Sequence, residues 1–211
     1  MELRYKHDEF ATHQPVLVEL LKRTSGDIIE LGCGLGSTAL IKELTGDRRR
    51  LVSVESDYQW YSKFKHLETA HHQLYYLNAG NEDCAKTGEK WAAFLEGILF
   101  GESGFEVALI DQSPWTARTH CLNLLKNRVP YIIVHDVDYF PNAGAWGTIR
   151  SSTRQGALIR HDMDFSDIVT AYQVYYPPFR FFRCPTGPPT LLCSNFVSTE
   201  ALQLHVEDYY R

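Results

Sequence analysis

The stretch Ile28-Ile29-Glu30-Leu31-Gly32-Cys33-Gly34-Leu35-Gly36-Ser37-Thr38 constrains the fold more than any other part of the chain. β-Branched residues running into three alternate glycines read as a buried strand, a tight turn and the start of a helix. Gly32, Gly34 and Gly36 allow the backbone to turn sharply and a ligand to approach without meeting a Cβ. Ser37 and Thr38 suit a helix N-terminus, whose amides and dipole favour an anionic group. A second strand, Leu51-Val52-Ser53-Val54-Glu55, ends in a carboxylate about 20 residues beyond the glycines, where a ribose diol is gripped in nucleotide-binding sheets.

The chain alternates strands and helices from there on. Expected strands cover 27–31, 51–55, 73–77, 107–111 and 131–136. Expected helices cover 12–24, 37–44 and 87–99, with two more after Asp57 and after Ser113-Pro114. Pro15 fits a first helical turn and Gly26 a stop. The fourth and fifth strands are unbroken apolar runs, as parallel strands covered on both faces require. The expectation is an α/β fold with a doubly wound, mostly parallel sheet in one domain, 1–211. Ligands in such sheets lie outside the carboxyl ends of the strands, so Glu55, Asp111 and Asp136 are expected in one crevice with the glycine turn. Two further β runs, 172–183 and 190–197, flank the turn Pro185-Thr186-Gly187-Pro188-Pro189. Segment 137–167 has little periodicity and is the expected acceptor-recognition region.

The net charge of −5 argues against a nucleic-acid partner, and no apolar run reaches the length of a membrane span. Five scattered cysteines without a C-x-x-C pair point to free thiols in a reducing, cytoplasmic setting, with Cys33 a small filler of the turn. The N-terminus has no signal-peptide core, and the chain reads equally as a whole enzyme or as one module of a longer one. Arg48-Arg49-Arg50 is expected at a solvated corner, Arg118 and His120 on a helix surface, and His13 and Gln14 as a cap and a surface imidazole.

Glu30-Leu31-Gly32-Cys33-Gly34-Leu35-Gly36 matches E/D-x-G-x-G-x-G at every fixed position and resembles motif I of the class I S-adenosylmethionine-dependent methyltransferases. This resemblance implies the Rossmann-like seven-stranded methyltransferase fold closed by a C-terminal antiparallel hairpin, with 1–26 as an N-terminal cap. It implies S-adenosyl-L-methionine as cofactor, held by Glu30, Gly32, Gly34, Gly36, Ser37, Thr38, Glu55 and Asp111. Asn81 or Glu82, with Asp83 a third choice, would meet the adenine. His13 and Gln14 would lean over the cofactor if they are not surface residues.

Asp111 and the pair His135-Asp136, closing strands four and five, are similar to the pattern of metal-dependent sugar O-methyltransferases. That similarity implies magnesium or another divalent cation on Asp111, Asp136 and His135, and a small-molecule or glycan hydroxyl as acceptor. Pro114 and Val137 depart from it, standing where those enzymes commonly carry a base and a further Asn or Asp. Two alternatives stay open: a metal-independent methyltransferase with His135 as general base, and a non-catalytic cofactor-binding module. The glycine spacing argues against a nicotinamide oxidoreductase.

Overall fold

A computed structural model describes residues 9–101, 104–137, 165–177, 179 and 187–206. The strands are β1 (Asp27–Leu31), β2 (Leu51–Glu55), β3 (His72–Tyr76), β4 (Phe105–Ile110), β5 (Tyr131–Val134), β6 (Ala171–Tyr175) and β7 (Thr190–Ser194). The helices are α1 (Gln14–Arg23), α2 (Thr38–Thr45), α3 (Tyr58–Phe64), α4 (Ala85–Gly101) and α5 (Trp115–Leu125). The strands form one sheet in the order β3-β2-β1-β4-β5-β7-β6. Strands β1 to β5 are mutually parallel, and β7 runs antiparallel between β5 and β6. The order reverses direction at β1, so the crevice between the ends of β1 and β4 is the switch point where such sheets bind ligands.

Alternate residues of each strand bury into opposite layers, as a two-residue period dictates. Ile29, Leu31, Val52, Val54, Ala108, Ile110, Ile132 and Val134 pack with Trp91 and Leu95 of α4 and Cys121 and Leu125 of α5. Ile28, Leu51, Val107, Leu109 and Ile133 pack with Val16, Leu17 and Leu20 of α1 and Leu40 and Ile41 of α2. Burying one Leu or Ile contributes about 1.5–3 kcal/mol, so the sheet between these two layers is the stable frame on which the site is mounted. No helix among the described residues is long and apolar enough to cross a membrane.

Expected and observed boundaries differ at informative places. Helix α1 ends at Thr24, whose amide bonds Leu20 O, and Gly26 instead lies against Glu106, which accepts its amide. Strands β4 and β5 stop at Ile110 and Val134, leaving Asp111, His135 and Asp136 beyond their ends. Asp136 has a positive φ of 54°, which a strand does not accommodate. The triple arginine is no solvated corner throughout: Arg49 is buried and donates to the carbonyls of Gly26, Leu21 and Thr24, while Arg50 pairs with Asp27 at 2.9 Å. These arginines close the lower end of the α1–β1 and α2–β2 connections, far from the strand ends that carry the site. Of the expected acceptor segment 137–167, residues 138–164 lie outside the described residues, as do 178 and 180–186 of the C-terminal runs.

Candidate functional site

The glycine turn is built from beneath. Glu30 is fully buried and accepts from Thr38 Oγ1 at 3.0 Å and Ser53 Oγ at 2.6 Å. Thr38 Oγ1 in turn accepts the Gly34 amide at 3.0 Å. Burial outweighs the hydroxyl hydrogen bonds and pushes the Glu30 carboxyl up to about 7. Glu30 therefore fixes the turn to α2 and β2 rather than facing a ligand. Ser37 occupies the N-cap position of α2, is buried, and makes no side-chain cap bond.

The three glycines have separate reasons. Gly32 has φ +90°, and a Cβ there would stand 2.6 Å from the Gln112 amide nitrogen, so the turn is pressed against the end of β4. A Cβ on Gly36 would lie 3.2 Å from both Ala11 Cβ and His13 Cε1. On the side where a Cβ would point, that glycine admits the N-terminal segment. Gln14 Nε2 seals the same contact by donating to Gly36 O at 2.7 Å. Around Gly34 the nearest such neighbour is Ser37 Oγ at 3.6 Å, leaving this the open side of the turn.

A pocket of about 440 Å³ opens at the switch point, lined by Gly32, Cys33, Glu55, Trp60, Asn81 and Asp111 among others. Its size suits a nucleoside-sized ligand. Glu55 Oε1 accepts the amides of Ser56 and Asp57 at 2.6 and 2.7 Å, and Oε2 accepts that of Cys33 at 2.7 Å. Its carboxyl is nonetheless raised by burial. With one bond on Oε2, this oxygen keeps acceptor capacity for a hydroxyl in the pocket. Asn81 is on the lining, whereas the pocket wall does not include Glu82. Asp83, the third choice for the adenine, accepts the Thr116 amide at 2.8 Å at the start of α5.

Beyond the ends of β4 and β5 lies a connected polar cluster. Arg118 of α5, expected at the surface, is buried. Its guanidinium reaches Asp111 Oδ1 and Asp136 Oδ2 at 3.1 Å each, and donates to the carbonyls of Asp111, Gln112 and His135. A buried guanidinium needs this saturation of its five donors. His120, on the same helix, is half-buried beside Gly88 of α4 and takes no part.

His135 is enclosed between Asp111 Oδ1, 3.0 Å from Nδ1, and Thr12 Oγ1, 2.8 Å from Nε2. Thr12 Oγ1 also donates to Pro188 O at 2.7 Å. Burial alone would lower the His135 imidazole, but Asp136 and Asp111 outweigh it and raise it. Asp111, the member of this cluster on the pocket wall, is held below the usual carboxylate range: burial opposes, and His135 and Arg118 prevail. His13, expected as a surface imidazole, is buried edge-to-face on His135 at 4.6 Å between ring centroids, with Nδ1 3.9 Å from Asp111 Oδ2. Burial and the neighbouring His135 depress it to about 4.

Thr12, His13 and Arg118 thus complete a site that the sequence showed only in part. The nearest signal was the polar run Thr12-His13-Gln14 ahead of an amphipathic helix. The magnesium set implied by resemblance does not fit. Asp136 is committed to Arg118, and the group that converges is His13, Asp111 and His135. Two imidazoles and one carboxylate are the wrong chemistry for a cation that prefers oxygen donors.

No family model and no curated protein matches the chain. Solved structures do. A Clostridium thermocellum protein described as an rRNA-methylase superposes with a TM-score of 0.51 at 12% identity, covering 94% of this chain and 99% of that one. The methyltransferase domain of a bacterial Hen1, CtHen1-C, gives 0.47 at 14% identity over 90% of this chain and 100% of that one. WbdD gives 0.46 at 17% identity, over 89% of this chain and 38% of that one. The first of these likenesses establishes the architecture: the chain has the Rossmann-like fold of the methyltransferases, a mostly parallel seven-stranded sheet closed by antiparallel β7.

Proposed function

We propose that this chain is an S-adenosylmethionine-dependent methyltransferase. The observation that carries the proposal is the pocket at the switch point, where Gly32 and Cys33 of the motif I turn and Glu55 at the end of β2 line one cavity of about 440 Å³. Glu55 Oε2 takes a ribose hydroxyl, Asn81 and Trp60 border the adenine, and the open side of Gly34 faces the methionyl part. Asp111 places a negative charge on the wall nearest the transferred methyl group.

The acceptor that this wall suits is a hydroxyl of a small polar molecule, a sugar or a glycan. In such a transfer the hydroxyl oxygen attacks the methyl carbon in line, the C–S bond pair passes to sulfur, and the hydroxyl proton passes to solvent water. A carboxylate held ionised accepts that hydroxyl's hydrogen bond and orients it. His135 has both ring nitrogens occupied, so it and Asp136, through Arg118, act as positioning residues for Asp111. This favours orientation by Asp111 over His135 serving directly as base. The net charge of −5 speaks against an RNA acceptor.

Calorimetric titration with S-adenosylhomocysteine, with NADH as control, tests the cofactor assignment. Binding of the first alone is expected, and its absence would overturn the proposal. With binding in hand, an acceptor panel of sugars, glycans and RNA, read as S-adenosylhomocysteine formed, tests the acceptor class. In that panel Asp111→Asn is expected to lose transfer while retaining cofactor binding. Turnover on RNA alone would refute the small-acceptor reading.

A further inference from the structure

We infer that His13, Asp111 and His135 form a binding site for a borderline divalent transition cation of the zinc or iron(II) type. The three residues come from three separate elements: the segment leading into α1, the end of β4 and the end of β5. Each offers one ligand atom, and these atoms all lie within 4.8 Å of one another. The set of two imidazoles and one carboxylate matches what such cations prefer and magnesium does not.

A second observation points to a ligand independently of this clustering. His13 is 1% exposed, yet neither of its ring nitrogens has a hydrogen-bond partner among the described residues. A buried imidazole with both nitrogens unmatched forfeits the hydrogen bonds that water would have given it. Its Nδ1 faces Asp111 Oδ2, while the other oxygen of Asp111 is held by Arg118 and His135. A cation between them satisfies both groups at once.

The support expected behind a metal-binding histidine is in place. His135 Nε2 is fixed by Thr12 Oγ1, itself anchored on Pro188 O, which leaves Nδ1 as the ligating atom. When the cation binds, the Nδ1 proton that bridges to Asp111 leaves to solvent. The charges also balance: once that proton has left, Asp111 and Asp136 share the single guanidinium of Arg118, and the cluster carries a net negative charge into which a dication fits. Asp111 reaches the pocket, which supplies both an entry path and a face on which an acceptor hydroxyl meets the cation.

Metal binding is measured directly, so its outcome is separate from that of the S-adenosylhomocysteine titration. The chain is stripped with chelator and titrated with cobalt(II), a spectroscopic stand-in for zinc, with magnesium as control. One equivalent of cobalt is expected to bind with ligand-field absorption, and magnesium not to compete. His13→Ala, with its fold checked by circular dichroism, is expected to lose at least about tenfold in cobalt affinity. Should that variant not fold, nitrogen NMR of the wild-type histidine rings at one equivalent of zinc is decisive, because two of the nine rings are expected to shift. No saturable cobalt binding, undiminished binding by folded His13→Ala, or zinc that shifts none of the rings would each overturn the site.

Discussion

Replacing Glu30 by Gln is the sharpest test of how the glycine turn is held. Glu30 is fully buried, and its carboxyl rises from an ordinary 4.5 to about 7, chiefly through burial. An acid whose folded value lies above its unfolded one contributes fully below about pH 4.5, and that contribution is lost as the pH rises through about 7. The displacement corresponds to about 3 kcal/mol. Gln has the same shape, accepts from Thr38 through its oxygen and donates to Ser53, but it does not ionise. Urea denaturation of both proteins between about pH 4 and about pH 8.5 separates this group from all others, because every other titration is shared. Relative to Glu30→Gln, the wild type is expected to lose about 3 kcal/mol across that range. A gap between the two that stays constant within about 0.5 kcal/mol would refute the argument that Glu30 is a buried acid beneath the turn.

Arg118→Met strands two carboxylates and three carbonyls and is expected to cost about 3–5 kcal/mol in urea denaturation, with Arg118→Lys recovering only part of it; a loss below 1 kcal/mol would show the cluster to be solvated. Gly32→Ala meets both a φ of +90° and the Gln112 backbone at 2.6 Å, and is expected to cost more than about 2 kcal/mol and to weaken S-adenosylhomocysteine binding. Gly34→Ala, whose nearest neighbour stands at 3.6 Å, is expected to leave stability within about 1 kcal/mol of wild type. Among the described cysteines, Cys84 is partly exposed with its thiol lowered by Thr87, whereas burial raises Cys33, Cys121 and Cys193. Mass spectrometry after iodoacetamide at neutral pH is expected to find Cys84 modified well before those three.

Segments whose structure is decided by near neighbours were legible in the sequence. The strand–turn–helix at 27–45, the carboxylate at Glu55, the Asp57 cap that accepts from Gln59 and Trp60, and the apolar strands β4 and β5 follow from local pattern. Alternation of strands and helices was enough to bring Glu55 and Asp111 to one end of the sheet. What the sequence left undecided is which polar side chains turn inward. Arg118 and His13 sit among residues that pass equally for a solvated helix face, because charge and imidazole are ordinarily exposed. Only the crossovers that lay α1 and α5 on opposite faces of the sheet bring Thr12 against His135 and Arg118 against Asp111 and Asp136. These contacts span 7 to 123 residues and are compensated by partners that no local pattern reveals. The packing at Gly36 had the same origin, since the atoms it makes room for on its Cβ side belong to Ala11 and His13. The sequence by itself determined the frame and one wall of the pocket. Tertiary packing decided the buried cluster behind Asp111, because burying a charged or titratable group is favourable only where the rest of the chain has already gathered its partners.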